Sequence, residues 1–136
     1  MQIIPYLFFK GECAAAMAFY EGAGLGKVME ISRYKDAPGN PFNAGNKGHW
    51  VMHAEMIGPA GTLMASDGVD SEPMKGFSLS IGTADLDEAN RVFDALADGG
   101  KVRMAMAKQY WGATFGQLTD RFGVQWMINC EPERRA

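Results

Sequence analysis

This chain of 136 residues is poor in the side chains that usually carry chemistry: it has two histidines and two cysteines. Cys13 and Cys130 form no C-x-x-C pair and no disulfide framework, and neither has a histidine beside it in sequence. In a reducing compartment they are expected as buried thiols, because a free cysteine packs as a small hydrophobe. No G-x-S-x-G elbow is present. The formal net charge of −3 gives no basic footprint for nucleic acid. No polybasic run offers a membrane surface a hold. The N-terminal "MQIIPYLFFKGE" is too short to span a bilayer. It also lacks the basic start and small-residue cleavage site of a signal peptide. These absences predict a cytoplasmic protein with neither nucleic acid nor membrane as partner.

What is present suits one globular domain. Hydrophobic residues make up 47% and charged residues 21%, and the length allows a sizeable core. Ten methionines are many; methionine fills irregular gaps and lines adaptable pockets. "IIPYLFF" (3–9) has strand length, and Pro5 within it points to an edge strand. "ECAAAMAFYEGAG" (12–24) reads as a helix, "KVMEISRY" (27–34) as a strand, "HWVMHAEMI" (49–57) and "TLMASD" (62–67) as two more. Between them "DAPGNPFNAGNKG" (36–48) is a loop of the length that is usually mobile or functional. A linker over 68–76 follows. The pattern then restarts with strand "FSLSIG" (77–82) and helix "DLDEANRVFDALADGG" (85–100). Asp85 can cap that helix, with Glu88 completing a capping box. Ala89, Val92, Phe93 and Leu96 supply its buried stripe. "KVRMAMA", "TFGQLTD" and "VQWMIN" are the last three strands.

The order is β-α-β-β-β twice. Sliding residues 5–28 onto 79–102 without gaps pairs Ala15 with Ala89, Phe19 with Phe93 and Ala23 with Ala97. It also pairs Gly26-Lys27-Val28 with Gly100-Lys101-Val102. Matching residues and matching element order together predict an internal duplication. The first module is 1–67 and the second 77–136. The fold class expected is α+β: two tandem βαβββ modules forming a curved, cup-shaped mixed sheet with helices outside.

Paired modules with "FY" late in the first helix resemble the vicinal-oxygen-chelate superfamily (glyoxalase I, extradiol dioxygenases, fosfomycin- and bleomycin-resistance proteins). The stretches "PYLFFKGECAAAMAFY", "HAEMIGPAGTLMASD", "DLDEANRVFDALADGGKV" and "QYWGATFGQLTDRFGVQWMIN" are most similar to its PhnB-like branch. The resemblance implies a homodimer with a cup-shaped site. Some relatives carry a demethylubiquinone methyltransferase assignment; this sequence has no Gly-rich loop after the first strand of an α/β sheet. Metal-dependent members place His or Glu on the first and last strands of each module. Carried over by position, those places fall on Pro5, Leu79, Met127 and, within one residue, Met64. Such side chains do not hold Zn, Ni, Fe or Mg, so no metal and no cofactor is expected.

Other candidates come from the residues. His49 and His53, four apart, would lie about 13 Å apart on a strand and cannot share an ion. His53 is the best candidate for proton transfer, and Glu55 shares its strand face. Asp67 and Asp120 stand at turns; the plainer role for Asp120 is to accept backbone hydrogen bonds. Arg121 faces an anionic ligand or solvent, with solvent favoured. Tyr6, Leu7, Trp50, His53, Met64, Leu79, Trp111 and Met127 are the expected ligand-binding set. Three readings of function stand. The first is metal-free binding of a small apolar or aromatic molecule in the cup. The second is a glyoxalase-like lyase, isomerase or transferase using a displaced metal or His53, Glu55, Asp67 and Asp120 as acid–base groups. A third is a dimeric interaction module whose interior is plugged by its own side chains.

Overall fold

In "YLFF" burial alternates: Leu7 and Phe9 are 2% and 5% exposed, Tyr6 and Phe8 37% and 54%. That period of two makes Tyr6–Phe9 a strand, β1, with one covered and one open face. The computed structural model describes residues 1–37 and 47–131. Most of the Gly/Pro/Asn-rich loop expected at 36–48 lies outside the described residues. The chain divides into two units, Met1–Glu72 and Pro73–Ala136.

In the first unit, helix α1 (Cys13–Gly22) follows β1. Its alanines favour helix, and its covered stripe is Cys13, Ala16, Met17 and Tyr20, the i, i+3, i+4, i+7 spacing of one helix face. Strand β2 (Lys27–Arg33), a short 3-10 helix (Tyr34–Asp36), β3 (Val51–Gly58) and β4 (Gly61–Asp67) complete it. The sheet order is β1-β4-β3-β2. β1 runs parallel to β4, and the other pairs are antiparallel. β1 is therefore an edge strand, as Pro5 suggested. Pro5 itself precedes the strand, and its carbonyl accepts the Met64 N–H at 3.0 Å.

The second unit repeats this order. β5 (Leu79–Thr83), α2 (Leu86–Ala97), β6 (Lys101–Lys108), β7 (Thr114–Thr119) and β8 (Gln125–Cys130) form a sheet of order β5-β8-β7-β6, again with one parallel pair, β5 with β8. Asp85 caps α2, its carboxylate accepting the Glu88 N–H at 3.2 Å. The buried residues of α2 are Ala89, Val92, Phe93 and Leu96, the stripe its periodicity predicts.

One of the repeated identities has a direct steric cause. Gly26 and Gly100 each sit just before the strand that follows the helix. A Cβ on Gly26 would lie 2.8 Å from the Ile57 carbonyl oxygen, and one on Gly100 2.3 Å from that of Thr119. Both obstacles are backbone. In each module the chain thus passes its neighbouring strand too closely for any side chain.

Candidate functional site

Register assigns the regularly paired side chains of the first sheet to faces. Tyr6 stands opposite Met64, Met64 opposite Glu55, and Glu55 opposite Glu30. This row lies on the open face, with Tyr6 and Phe8. The neighbouring row, Leu7, Ala65 and Ala54, is buried on the helix-covered face. The second sheet has the same arrangement: Ser80 opposite Met127, and Met127 opposite Gln117, beside a covered row containing Trp126 and Leu118.

These registers correct part of the expected ligand set. Leu7 is buried under α1 and cannot touch a ligand on the open face. Leu79 pairs with Trp126, so it belongs to the covered row, and Pro5 has the parity of Leu7 and Phe9. Pro5 and Leu79 therefore do not share a face with Met64 and Met127, because in a strand one residue changes the face. Tyr6 and Ser80 occupy the places opposite the two methionines.

His53 lies on the same open face. Its Nδ1 is 3.1 Å from the Tyr6 hydroxyl oxygen. The two rings stack at 5.8 Å between centroids, inclined at 30°. Phe8, two residues along β1, continues the cluster at 5.0 Å from the Tyr6 ring. The sequence reading missed Phe8, although its i+2 spacing from Tyr6 was signal enough. Tyr6, His53 and Met64 thus come together. His49 precedes β3 and is exposed. Trp50 packs against Gly11 and under the Lys47 ammonium, 5.4 Å from its ring centroid. Trp111 is half exposed in the turn between β6 and β7, edge-on to Tyr110.

Two catalytic candidates are structural instead. Asp67 is 1% exposed. Its Oδ1 accepts the Gly11 and Cys13 N–H groups at 2.8 and 3.0 Å, and its Oδ2 accepts that of Val51 at 2.9 Å. It ties the start of α1 to the start of β3. Asp120 is 3% exposed. It accepts the Phe122 and Val124 N–H groups at 2.8 and 3.1 Å and the Trp126 indole N–H at 2.9 Å. Both carboxylates are occupied by donors and turned away from solvent, so neither can meet a substrate. Arg121 does not face bulk solvent alone: it pairs with Asp98 at 3.0 Å and donates to the Asp98 carbonyl at 3.1 Å.

The thiols offer no nucleophile. Burial, and next the Asp67 charge, push the Cys13 thiol up to about 12, so the thiolate that would react is absent at physiological pH. Cys130 is also buried. Burial, with Asp67 and Tyr6 adding, likewise raises Tyr34 above the usual phenol value, and its hydroxyl stays protonated to donate to the Asp67 carbonyl at 2.7 Å.

A divalent ion does not fit the first- and last-strand positions of these faces. On the first and last strands of each module the open-face residues include Tyr6, Phe8 and Met64, then Ser80, Met127 and Asn129. None offers imidazole, carboxylate or thiolate. Among the described residues no group of three or more His, Cys, Asp or Glu is placed to hold a metal ion. No described helix is long and apolar enough to cross a membrane.

Comparison with known proteins agrees with this architecture. The family described as 3-demethylubiquinone-9 3-methyltransferase matches residues 1–129. Protein YjdN of Escherichia coli (strain K12) is 35% identical over 139 residues, covering 95% of each chain. Among solved structures, protein PA1353 from Pseudomonas aeruginosa superposes with a TM-score of 0.88 at 39% identity, covering 98% of this chain and 99% of its own. The PhnB protein from Bacillus cereus gives 0.79 at 27%, covering 96% and 100%. The fold extends to a bleomycin resistance determinant encoded on transposon Tn5, with a TM-score of 0.60 at 19% identity, covering 96% and 98%. The chain therefore belongs to the family described as 3-demethylubiquinone-9 3-methyltransferase, the PhnB-like branch of the vicinal-oxygen-chelate superfamily, with the glyoxalase/bleomycin resistance fold.

Proposed function

We propose that this protein binds a small apolar or aromatic molecule without a metal ion. The observation that carries this reading is the open face of the first sheet: Tyr6 and Phe8 leave 37% and 54% of their surface exposed beside His53 and Met64. Exposed aromatic rings on a rigid sheet offer contact area at little cost in side-chain entropy. One polar pair among them fixes orientation, as small-molecule sites usually do. Neither sheet is the parallel α/β sheet whose Gly-rich strand-to-helix turn holds a nucleotide-like cofactor, so methyl transfer is not part of the proposal. A cytoplasmic homodimer is. The apolar exposure of β6 at Val102 and Met104, 47% and 44%, supports a second copy as partner, since exposed edge strands are normally covered.

In a thermal-shift screen with chelator present, aromatic hydrophobic compounds are expected to raise the melting temperature. A ligand at a hundred times its Kd adds about 2.7 kcal/mol. A broad panel that leaves the transition unmoved would sink the reading.

One observation favours a second reading, acid–base catalysis. The Tyr6 hydroxyl against His53 Nδ1 is the contact that orients an imidazole for proton transfer. Glu55 shares that face, whereas Asp67 and Asp120 drop out. Once a turnover is known, His53→Ala is expected to lower kcat about a hundredfold or more. Unchanged kcat would remove His53 from the chemistry.

A further inference from the structure

We propose a second binding site, on the open face of the second sheet, centred on Arg103 and taking a carboxylate or phosphate carried on an apolar body. It is built within the second unit alone and goes beyond the first-sheet reading. The starting point is an irregularity of pairing. From Val102 to Met104, β6 advances two residues while β7 passes only from Leu118 to Gln117. Arg103 is thus the extra residue of a β-bulge, a device that re-aims a side chain. The first module has the same bulge: Val28 to Glu30 on β2 faces Met56 to Glu55 on β3. Its extra residue, Met29, follows Gly26-Lys27-Val28 as Arg103 follows Gly100-Lys101-Val102. The duplication keeps the bulge in both modules and places a cation on it in one.

The bulge delivers the guanidinium to the open face. Gln125 precedes Trp126 on β8, and Trp126 is in the covered row, so Gln125 points the other way. Arg103 Nη1 donates to Gln125 Oε1 at 3.0 Å, a bond that carries the side chain across β7. Lysine and arginine on an edge strand commonly guard it against pairing. Arg103 is held instead toward a residue two strands in from that edge. A guanidinium presents several N–H donors in a planar fork, and the bond to Gln125 uses one of them. Thr119 and Lys101 complete the row from Gln125. Met127, two residues along β8 on the same face, adds apolar surface.

Charge decides the sign of the ligand. The strands β5 to β8 contain no Asp or Glu and three cations, Lys101, Arg103 and Lys108, in a chain of net charge −3. Among the described residues neither Lys101 nor Arg103 has an ion pair. Two acids near in sequence are engaged elsewhere: Asp120 accepts the indole N–H of Trp126 on the covered side, and Asp98 pairs with Arg121. The donor fork of arginine matches the oxygens of a carboxylate or phosphate. An anion at Arg103 therefore gains two neighbouring cations and meets no acidic side chain from these strands.

The test is equilibrium binding of naphthoate, naphthyl phosphate and the neutral methyl naphthoate at low salt. At least one of the two anions is expected to bind about tenfold more tightly than the ester. In Arg103→Gln that preference should disappear while the affinity for the ester stays within about twofold. Arg103→Lys, which keeps the charge but not the fork, should recover only part of it. Gln125→Ala leaves the net charge unchanged and frees the guanidinium, so it should weaken the preferred anion about threefold and the ester hardly at all. Thermal melts establish that each variant is folded. Equal affinity for anions and ester would overturn the anion site and leave the first-sheet reading standing, as would an anion preference that survives Arg103→Gln. An anion that binds where the ester does not, with binding lost in Arg103→Gln, would keep this site and count against the first-sheet reading. Binding of no probe would bring down both.

Discussion

Asp67→Ala is expected to destabilise the protein by about 3–5 kcal/mol, read as a lower urea midpoint and a melting temperature roughly 10–20 °C lower. Three backbone N–H groups from two separate segments converge on this carboxylate: Gly11 and Cys13 before and at the start of α1, and Val51 at the start of β3. Bonds to an ionised acceptor are worth more than neutral ones, about 1.5–3 kcal/mol each. The loss is less than their sum, because water entering the gap satisfies some of the donors. Asp67→Asn should fall between, since its amide offers one acceptor oxygen and turns an NH2 toward a donor. A fall of under 1 kcal/mol in the alanine variant would show that these bonds do not hold the first unit together.

The second large effect is expected at Gly100. A Cβ there would come within 2.3 Å of the Thr119 carbonyl oxygen and 2.9 Å of the Asp120 Cα. No rotamer relieves a collision with backbone, so Gly100→Ala must push β6 from the end of β7. A cost of about 2–4 kcal/mol follows. Gly82→Ala is the control, because a Cβ at Gly82 meets nothing within 4 Å, and that variant should stay within about 1 kcal/mol of the parent. Equal stability of the two variants would mean that the close approach at Gly100 is not maintained in solution.

Much of the architecture was legible because the signals were periodic. The stripe Ala89, Val92, Phe93, Leu96 and the cap at Asp85 are local properties of a helix, and both appear where the sequence puts them. Duplicated order and the shared Gly-Lys-Val placed two βαβββ units on the chain. Strand ends were less legible: the run expected from Ile3 begins at Tyr6, because Pro5 has no N–H for the ladder and nothing in composition fixes where pairing starts. The open-face cluster was legible in residue type but not in direction. Tyr6, His53 and Met64 were singled out, yet so were Leu7 and Leu79, whose faces only the register reveals. Asp67 shows the limit most clearly. The donors it accepts come from positions 54 and 56 residues away as well as from position 51, and no short-range pattern announces a carboxylate whose partners are distant in the chain.

The crowded glycines at 26 and 100 also bear on how the two halves can be rebuilt. Each marks a joint where geometry leaves room for hydrogen alone, so a helix-and-first-strand fragment grafted from a cousin will seat correctly only if a glycine, from donor or recipient, stands at the joint. A chimera that places any other residue at that joint inherits a clash with backbone that no repacking of side chains can absorb.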